Sequence, residues 1–234
     1  MTHAGDFLGN DMPGTMMAPK PPAVLSAPPA GRVLVLVPHA DDESLGCGGV
    51  IALHHRQGDQ VKVVIVTDGA AGDPKGYYVE CDYPALRREE SRRAGAILGV
   101  SDLEHWDYPD GKLTPTPELV ERIGALLAIE RPDILYRPSI NEIHPDHWAL
   151  GVAVEEALRR YIIPVRDWRY EIWATVHPSH ILDITPVWDL KCKAITQYVS
   201  QLRYNDYLRM VAGLNAYRTI HLPSARYVEA FEAR

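Results

Sequence analysis

Apolar residues along this chain recur in two spacings. Short runs rich in β-branched residues, Val33-Leu34-Val35-Leu36-Val37, Val61-Lys62-Val63-Val64-Ile65-Val66 and Asp133-Ile134-Leu135-Tyr136, are bounded by glycine, proline or charged residues. They read as strands, and the first, apolar at every position, as one buried on both faces. Elsewhere the spacing is helical: Leu119, Ile123, Leu126 and Leu127 share one face, and Leu150, Val154 and Leu158 another. Helices are expected over about 48–57, closed by Gly58, and 84–98, closed by Gly99. Another starts at Pro117 behind Thr116 as cap and ends at Arg131-Pro132, and a fourth covers 145–161. Residues 102–106 read as a short strand. The signal then weakens: strands are expected near 169–175 and 180–184, a helix over 185–201 and a helical stretch over 203–216. This alternation predicts one α/β domain, residues 31–234, with a mainly parallel sheet and right-handed crossovers.

Residues 1–30 break the pattern. They are rich in Pro, Gly, Ala and Met, and Pro21-Pro22 and Pro28-Pro29 favour extended backbone. They read as a mobile Pro-rich arm; the competing reading is a strap that clasps a homo-oligomer. A chain of 234 residues with 46% hydrophobic and 24% charged content suits a soluble domain with a full core. The net charge of −7, with no basic cluster, argues against nucleic acid as a partner. Cys47, Cys81 and Cys192 are scattered and odd in number, so no disulfide framework is expected. No apolar run reaches the ~18–20 residues of a membrane span. No secretory signal pattern opens the chain. A cytoplasmic protein is expected.

Chemistry concentrates at the end of the first strand. Pro38-His39-Ala40-Asp41-Asp42-Glu43-Ser44 delivers an imidazole and three carboxylates in one turn. Open α/β sheets place ligand sites outside the carboxyl ends of their strands. A second polar turn, His144-Pro145-Asp146-His147, follows the Asp133–Tyr136 run. Each motif alone is compatible with capping residues and a solvated turn; together they read as two halves of a metal site. Catalytic zinc takes three protein ligands and keeps a fourth position open. His39, Asp42 and His147 would supply N, O and N donors. Asp41 and His144 then lie beside the metal. A carboxylate there can accept a proton from water, and an imidazole, oriented by Asp146, can stabilise an oxyanion or protonate a leaving amine. His39, Asp42 and His147 suit zinc, although Fe(II), Co(II) or Ni(II) could occupy the same ligands.

The segment His39-Ala40-Asp41-Asp42-Glu43, with Leu45-Gly46-Cys47-Gly48-Gly49 after it and His144-Pro145-Asp146-His147 downstream, resembles the PIG-L/LmbE family of zinc-dependent N-deacetylases. The likeness extends to Thr67-Asp68-Gly69, to Arg87-Arg88-Glu89-Glu90 with Ala94 and Leu98-Gly99, and more faintly to Lys191, Ala194 and Ser200-Gln201. It spans roughly residues 32–202. It implies a Rossmann-like three-layer α/β sandwich, bound Zn2+, and removal of an acetyl group from an N-acetylglucosaminyl compound. It assigns Asp42 to the metal and Asp41 to the attacking water. It places the loop 67–76 at the border of the substrate pocket. Arg87, at the family's spacing before Glu90 and Ala94, is implied as the substrate-binding arginine, with Arg88 as the competing choice. Two positions depart from relatives: Glu142 stands where some carry Tyr, and Tyr198 where many carry His.

Several residues have plainer explanations beside the chemical ones. His54 and His55 suit the C-terminal end of a helix. Tyr77, Tyr78 and Tyr83 are packing anchors or sugar contacts. Cys47 reads as a small buried thiol, and His177 and His180 as turn residues. Two rival functions stand against the deacetylase. One is a metal-dependent amidase or esterase acting on a non-sugar. The other is a dinucleotide-binding module, disfavoured because Gly46-Cys47-Gly48-Gly49 lacks the third glycine of the fingerprint and acids occupy the pyrophosphate position.

Overall fold

The computed structural model describes residues 20–100 and 102–233. Eight strands form one sheet: β1 Ala23–Leu25, β2 Val33–Val37, β3 Val61–Thr67, β4 Asp102–Tyr108, β5 Ile134–Pro138, β6 Arg166–Tyr170, β7 His180–Asp183 and β8 Val228–Ala233. Their order is β1-β7-β8-β6-β5-β2-β3-β4. Every pairing is parallel except the two made by β8. The helices are α1 Asp42–Arg56, α2 Tyr83–Leu98, α3 Pro117–Glu130, α4 Pro145–Tyr161, α5 Trp188–Ile195, α6 Val199–Leu202 and α7 Tyr207–Tyr217.

Alternate residues of β2 feed two cores. Val33, Val35 and Val37 pack with α1, α2, α5 and α7 on one face. Leu34 and Leu36 pack with α3 and α4 on the other. The result is the three-layer α/β sandwich expected, and it explains why β2 is apolar throughout. The chain leaves β2 through α1 to β3 on one side and later returns through α3 to β5 on the other. The crevice between β2 and β5 is therefore the switch point of the sheet, where open α/β folds bind ligands. Both polar turns open onto it.

Four expectations need correction. Residues 20–30 are not a detached arm: Ala23–Leu25 pairs with His180–Leu182 as an edge strand. Three residues between prolines are too few to show a period, so pattern reading misses them; residues 1–19 of the expected arm lie outside the described residues. The second correction is β8, for which no strand was expected. It carries Glu229 and Glu232, and an acid inside a strand disguises it; Glu229 is buried against Lys191 instead. The expected helix over 185–201 is broken into a turn at Thr185–Val187, α5 and the four-residue α6. Finally, α1 starts at Asp42, not near Gly48, so Asp42 and Glu43 form its first turn, where negative charge complements the helix dipole.

The glycines of α1 serve close packing. A Cβ on Gly46 would meet the Tyr170 ring at 2.7 Å, and one on Gly49 would meet Ile184 at 2.5 Å. That use leaves no cradle for a pyrophosphate and removes the dinucleotide reading. His54, which suits a helix C-terminal end by position, is a core residue. It is fully buried, with Nδ1 2.7 Å from Asp59 and Nε2 3.0 Å from the Tyr136 hydroxyl. Burial holds its pKa below the ordinary value, so it adds no positive charge to the helix end.

Candidate active site

His39, Asp41 and Asp42 leave β2 in a turn that becomes α1, while His144 caps α4 and His147 sits in its first turn. Pro145 at the first helical position costs no hydrogen bond and sets this geometry. Adjacent parallel strands bring the two turns together although they lie about a hundred residues apart in the chain. The Asp42 carboxylate is the centre. Its Oδ2 is 3.2 Å from His39 Nδ1 and 3.2 Å from His147 Nε2. His147 is completely buried, yet neither ring nitrogen makes a hydrogen bond. The 3.2 Å approach of Nε2 to Asp42 is close but misaligned for a proton. A buried imidazole with both nitrogens unmatched is costly, and a cation held by His39, Asp42 and His147 would relieve the part of that cost that falls on Nε2. Nitrogen and carboxylate donors of this kind suit a divalent ion; the groups whose donor atoms all lie within 4.8 Å of one another are His39, His144 and His147, and His39, Asp110 and Asp146. The rings of His39, His144 and His147 also cluster, with His39 and His144 4.8 Å apart between centroids.

Asp146 does not do what its sequence position suggests. Its carboxylate is not on the His144 ring. It accepts from the backbone N–H groups of Gly111 (2.7 Å) and Leu113 (3.1 Å), and its Oδ2 lies 3.1 Å from His39 Nε2. Asp146 therefore orients a metal-ligand candidate, the arrangement of a carboxylate–histidine–metal triad. The backbone of Asp146 does reach His144: its N–H donates to Nδ1 at 3.2 Å. With Nδ1 accepting, the neutral ring carries its proton on Nε2 and can donate to a substrate oxygen. Burial, then the neighbouring His39 and His147, hold the pKa of His144 below its ordinary value.

Two further acids reach the site without having been assigned a role from the sequence. Asp110, from the turn after β4, puts Oδ1 3.0 Å from His39 Nε2 and accepts the Ala71 N–H on Oδ2 at 3.0 Å. An aspartate followed by glycine in a turn is too common to single out. Glu142 accepts the N–H groups of Ile172 (2.8 Å) and Trp173 (3.2 Å) and lies 3.6 Å from His147 Nδ1. At the position where some relatives carry Tyr, this acid faces a metal-ligand candidate and the backbone after β6.

The two adjacent aspartates differ in environment. For Asp42, burial works against ionisation, but the His147 and His39 rings outweigh it and hold its pKa far below the carboxylate range. For Asp41, burial and the Asp42 charge push the pKa well up, against the pull of Arg87. Paired carboxylates driven apart in this way suit different tasks. Arg87 Nη2 is 3.4 Å from Asp41 Oδ2 and also donates to the Ala40 carbonyl. Arg88 points away, paired with Asp107 at the surface. A cavity of about 170 Å3 is lined by Asp41, Asp42, Arg87, Asp110, His144 and Trp173, among others. Gly72 belongs to its wall, so the loop after β3 does border the cavity. Tyr77, Tyr78 and Tyr83 are outside its lining: Tyr77 stacks on Tyr204, and Tyr78 on Tyr83. They anchor the loop.

Arg87→Ala is expected to lower kcat/KM by ~10–100-fold, the range for hydrogen bonds to charged groups, because Arg87 both lines the cavity and steadies Asp41. Arg88→Ala should stay within about twofold. Steady-state kinetics of both variants, with metal content measured, check this; a defect only in the Arg88 variant would contradict the geometry.

Fold and site together define a class. Residues 34–158 match the family model described as PIG-L, GlcNAc-PI de-N-acetylase. The chain is 30% identical over 204 residues to a diacetylchitobiose deacetylase of Thermococcus kodakarensis, covering 77% of this chain and 76% of that one. It is 28% identical, over 86% of each chain, to a 4-oxalmesaconate hydratase of Pseudomonas putida. Its fold superposes on a solved N,N'-diacetylchitobiose deacetylase of Pyrococcus horikoshii with a TM-score of 0.78. That match is 26% identical and covers 87% of this chain and 83% of the other. The protein belongs to the PIG-L family, the LmbE-like deacetylases.

Proposed function

We propose that this protein is a metal-dependent hydrolase that removes an N-acetyl group from a GlcNAc-type sugar or glycoconjugate. The observation that carries this reading is the buried His147 ring, unmatched at both nitrogens, facing Asp42 and His39 with Asp41 held beside them. In this reading His39, Asp42 and His147 hold Zn2+ or a similar divalent ion, and Asp110 and Asp146 orient His39. The bound ion would polarise the amide carbonyl and a water. Asp41 takes the proton of the attacking water, and its buried, Arg87-held carboxylate suits a general base. His144 Nε2–H faces the developing oxyanion, and the proton gathered by Asp41 goes to the leaving amine. Atoms balance as amide plus water giving amine plus acetate.

Arg87, Asp110, Gln201 and Trp173 shape the cavity around the acetamido group, and several polar side chains with the aromatic Trp173 and Tyr207 suit a sugar. Two similar proteins are named diacetylchitobiose deacetylases, which supports a sugar substrate. The described residues hold no helix long and apolar enough to cross a membrane. Cys47, Cys81 and Cys192 are free, which supports a reducing, cytoplasmic setting.

The test is acetate release from a panel of N-acetylated sugars, run beside hydration of 4-oxalmesaconate, the reaction named for one relative. Chelation should abolish acetate release, and about one equivalent of zinc should restore it. Activity in metal-free protein would remove the metal from the mechanism. Hydration with no acetate release would replace the reading.

A further inference from the structure

Asp41 sits in a backbone conformation that residues with a Cβ seldom adopt, φ 139° and ψ −29°. It occupies the cap position of α1, where an aspartate ordinarily turns its carboxylate onto the helix's own N–H groups. Here it makes no such bond. Instead Glu43 reaches back from the first turn, and its Oε2 accepts the Asp41 N–H at 3.2 Å. This is the return half of a capping box, made one position early. The other oxygen, Oε1, accepts the Ser44 hydroxyl at 2.8 Å and the hydroxyl of Tyr198. Glu43 and Tyr198 are both buried. Tyr198 comes from the turn before α6, so the brace ties the start of α1 to a distant part of the chain.

We propose that Glu43, braced by Tyr198, is a positioning residue for the hydrolysis. It holds the Asp41 backbone so that the carboxylate leaves its own helix end and faces the cavity and Arg87. A relaxed Asp41 would cap α1 and lose its place beside the attacking water. The inference rests on Asp41 being the base. It also gives Tyr198, a departure from the pattern of many relatives, a defined partner.

Four variants, loaded with zinc, test it by steady-state kinetics and metal analysis. Glu43→Ala should lower kcat at least tenfold while KM and zinc content stay within twofold. Glu43→Gln keeps an acceptor oxygen for the Asp41 N–H and should recover most of kcat. Tyr198→Phe removes one hydroxyl and should lower kcat a few-fold with KM unchanged. A residue that only stabilised the fold would lower the melting temperature and the yield of active protein but leave kcat per zinc-loaded molecule intact. That result for Glu43→Ala overturns the inference. If Glu43→Ala does not fold, Tyr198→Phe decides, and an unchanged kcat there overturns it. Asp41→Asn completes the series. If it is inactive while Glu43→Ala is fully active, only the positioning inference falls; if it is active, the base assignment falls as well.

Discussion

Asp41→Asn should keep its metal and lose turnover by ~10²–10⁴-fold, the usual cost of removing a general base. The amide preserves the size of the side chain and can still face Arg87, but it cannot take a proton. Asp42→Ala should fail differently. Its carboxylate lies 3.2 Å from one nitrogen of each of His39 and His147, so its loss opens the ligand set. Metal affinity should fall first, and high zinc should restore part of the activity. Under the proposed roles His144→Ala should resemble Asp41→Asn, because that reading assigns the Nε2–H of His144 to the substrate oxygen. Metal stoichiometry and kcat measured side by side discriminate the roles. A zinc-free Asp41→Asn beside a zinc-loaded Asp42→Ala would reverse the two assignments.

Lys191→Met should destabilise the fold by about 3–5 kcal/mol, the cost of breaking a buried ion pair. Lys191 is fully buried with Nζ 2.6 Å from Glu229 Oε1. Glu229 also accepts the Gly49 and Val50 N–H groups of α1, each at 2.7 Å. Without the ammonium, a carboxylate stays buried against α1 with two amides to share its charge. For a chain of this size that loss lowers Tm by roughly 10 °C. Replacing both partners, Lys191→Met with Glu229→Gln, should recover much of it, since no charge is then stranded. Thermal and denaturant unfolding measure both. A loss under about 1 kcal/mol would mean that the pair is worth no more than a surface salt bridge.

Part of this protein is written locally. A run of five apolar residues has few alternatives to a buried strand, and Thr116-Pro117 opens a helix by rules that involve only near neighbours. The strand–helix rhythm therefore pointed to the parallel α/β class that the structure has, and two polar turns at strand ends pointed to one edge of the sheet as the place of the candidate site. The motif residues His39, Asp41, Asp42, His144 and His147 were legible because each stands next to a strand or helix that pattern reveals.

What the local pattern left undecided involves groups far apart in the chain. Nothing local says that β2 and β5 are neighbours, and only that pairing brings His147 to Asp42. Asp146 was readable as a site residue but not its target, since His39 is 107 residues away. Asp110 and Glu142 are ordinary turn acids until the fold aims them at His39 and His147. β8 stayed hidden because Glu229 looks solvated in the sequence and is neutralised in the fold by Lys191. The difference in environment between Asp41 and Asp42 also needed the tertiary structure. The two are chemically identical and adjacent, and only the strained turn, Arg87 on one and two imidazoles on the other, gives them different surroundings.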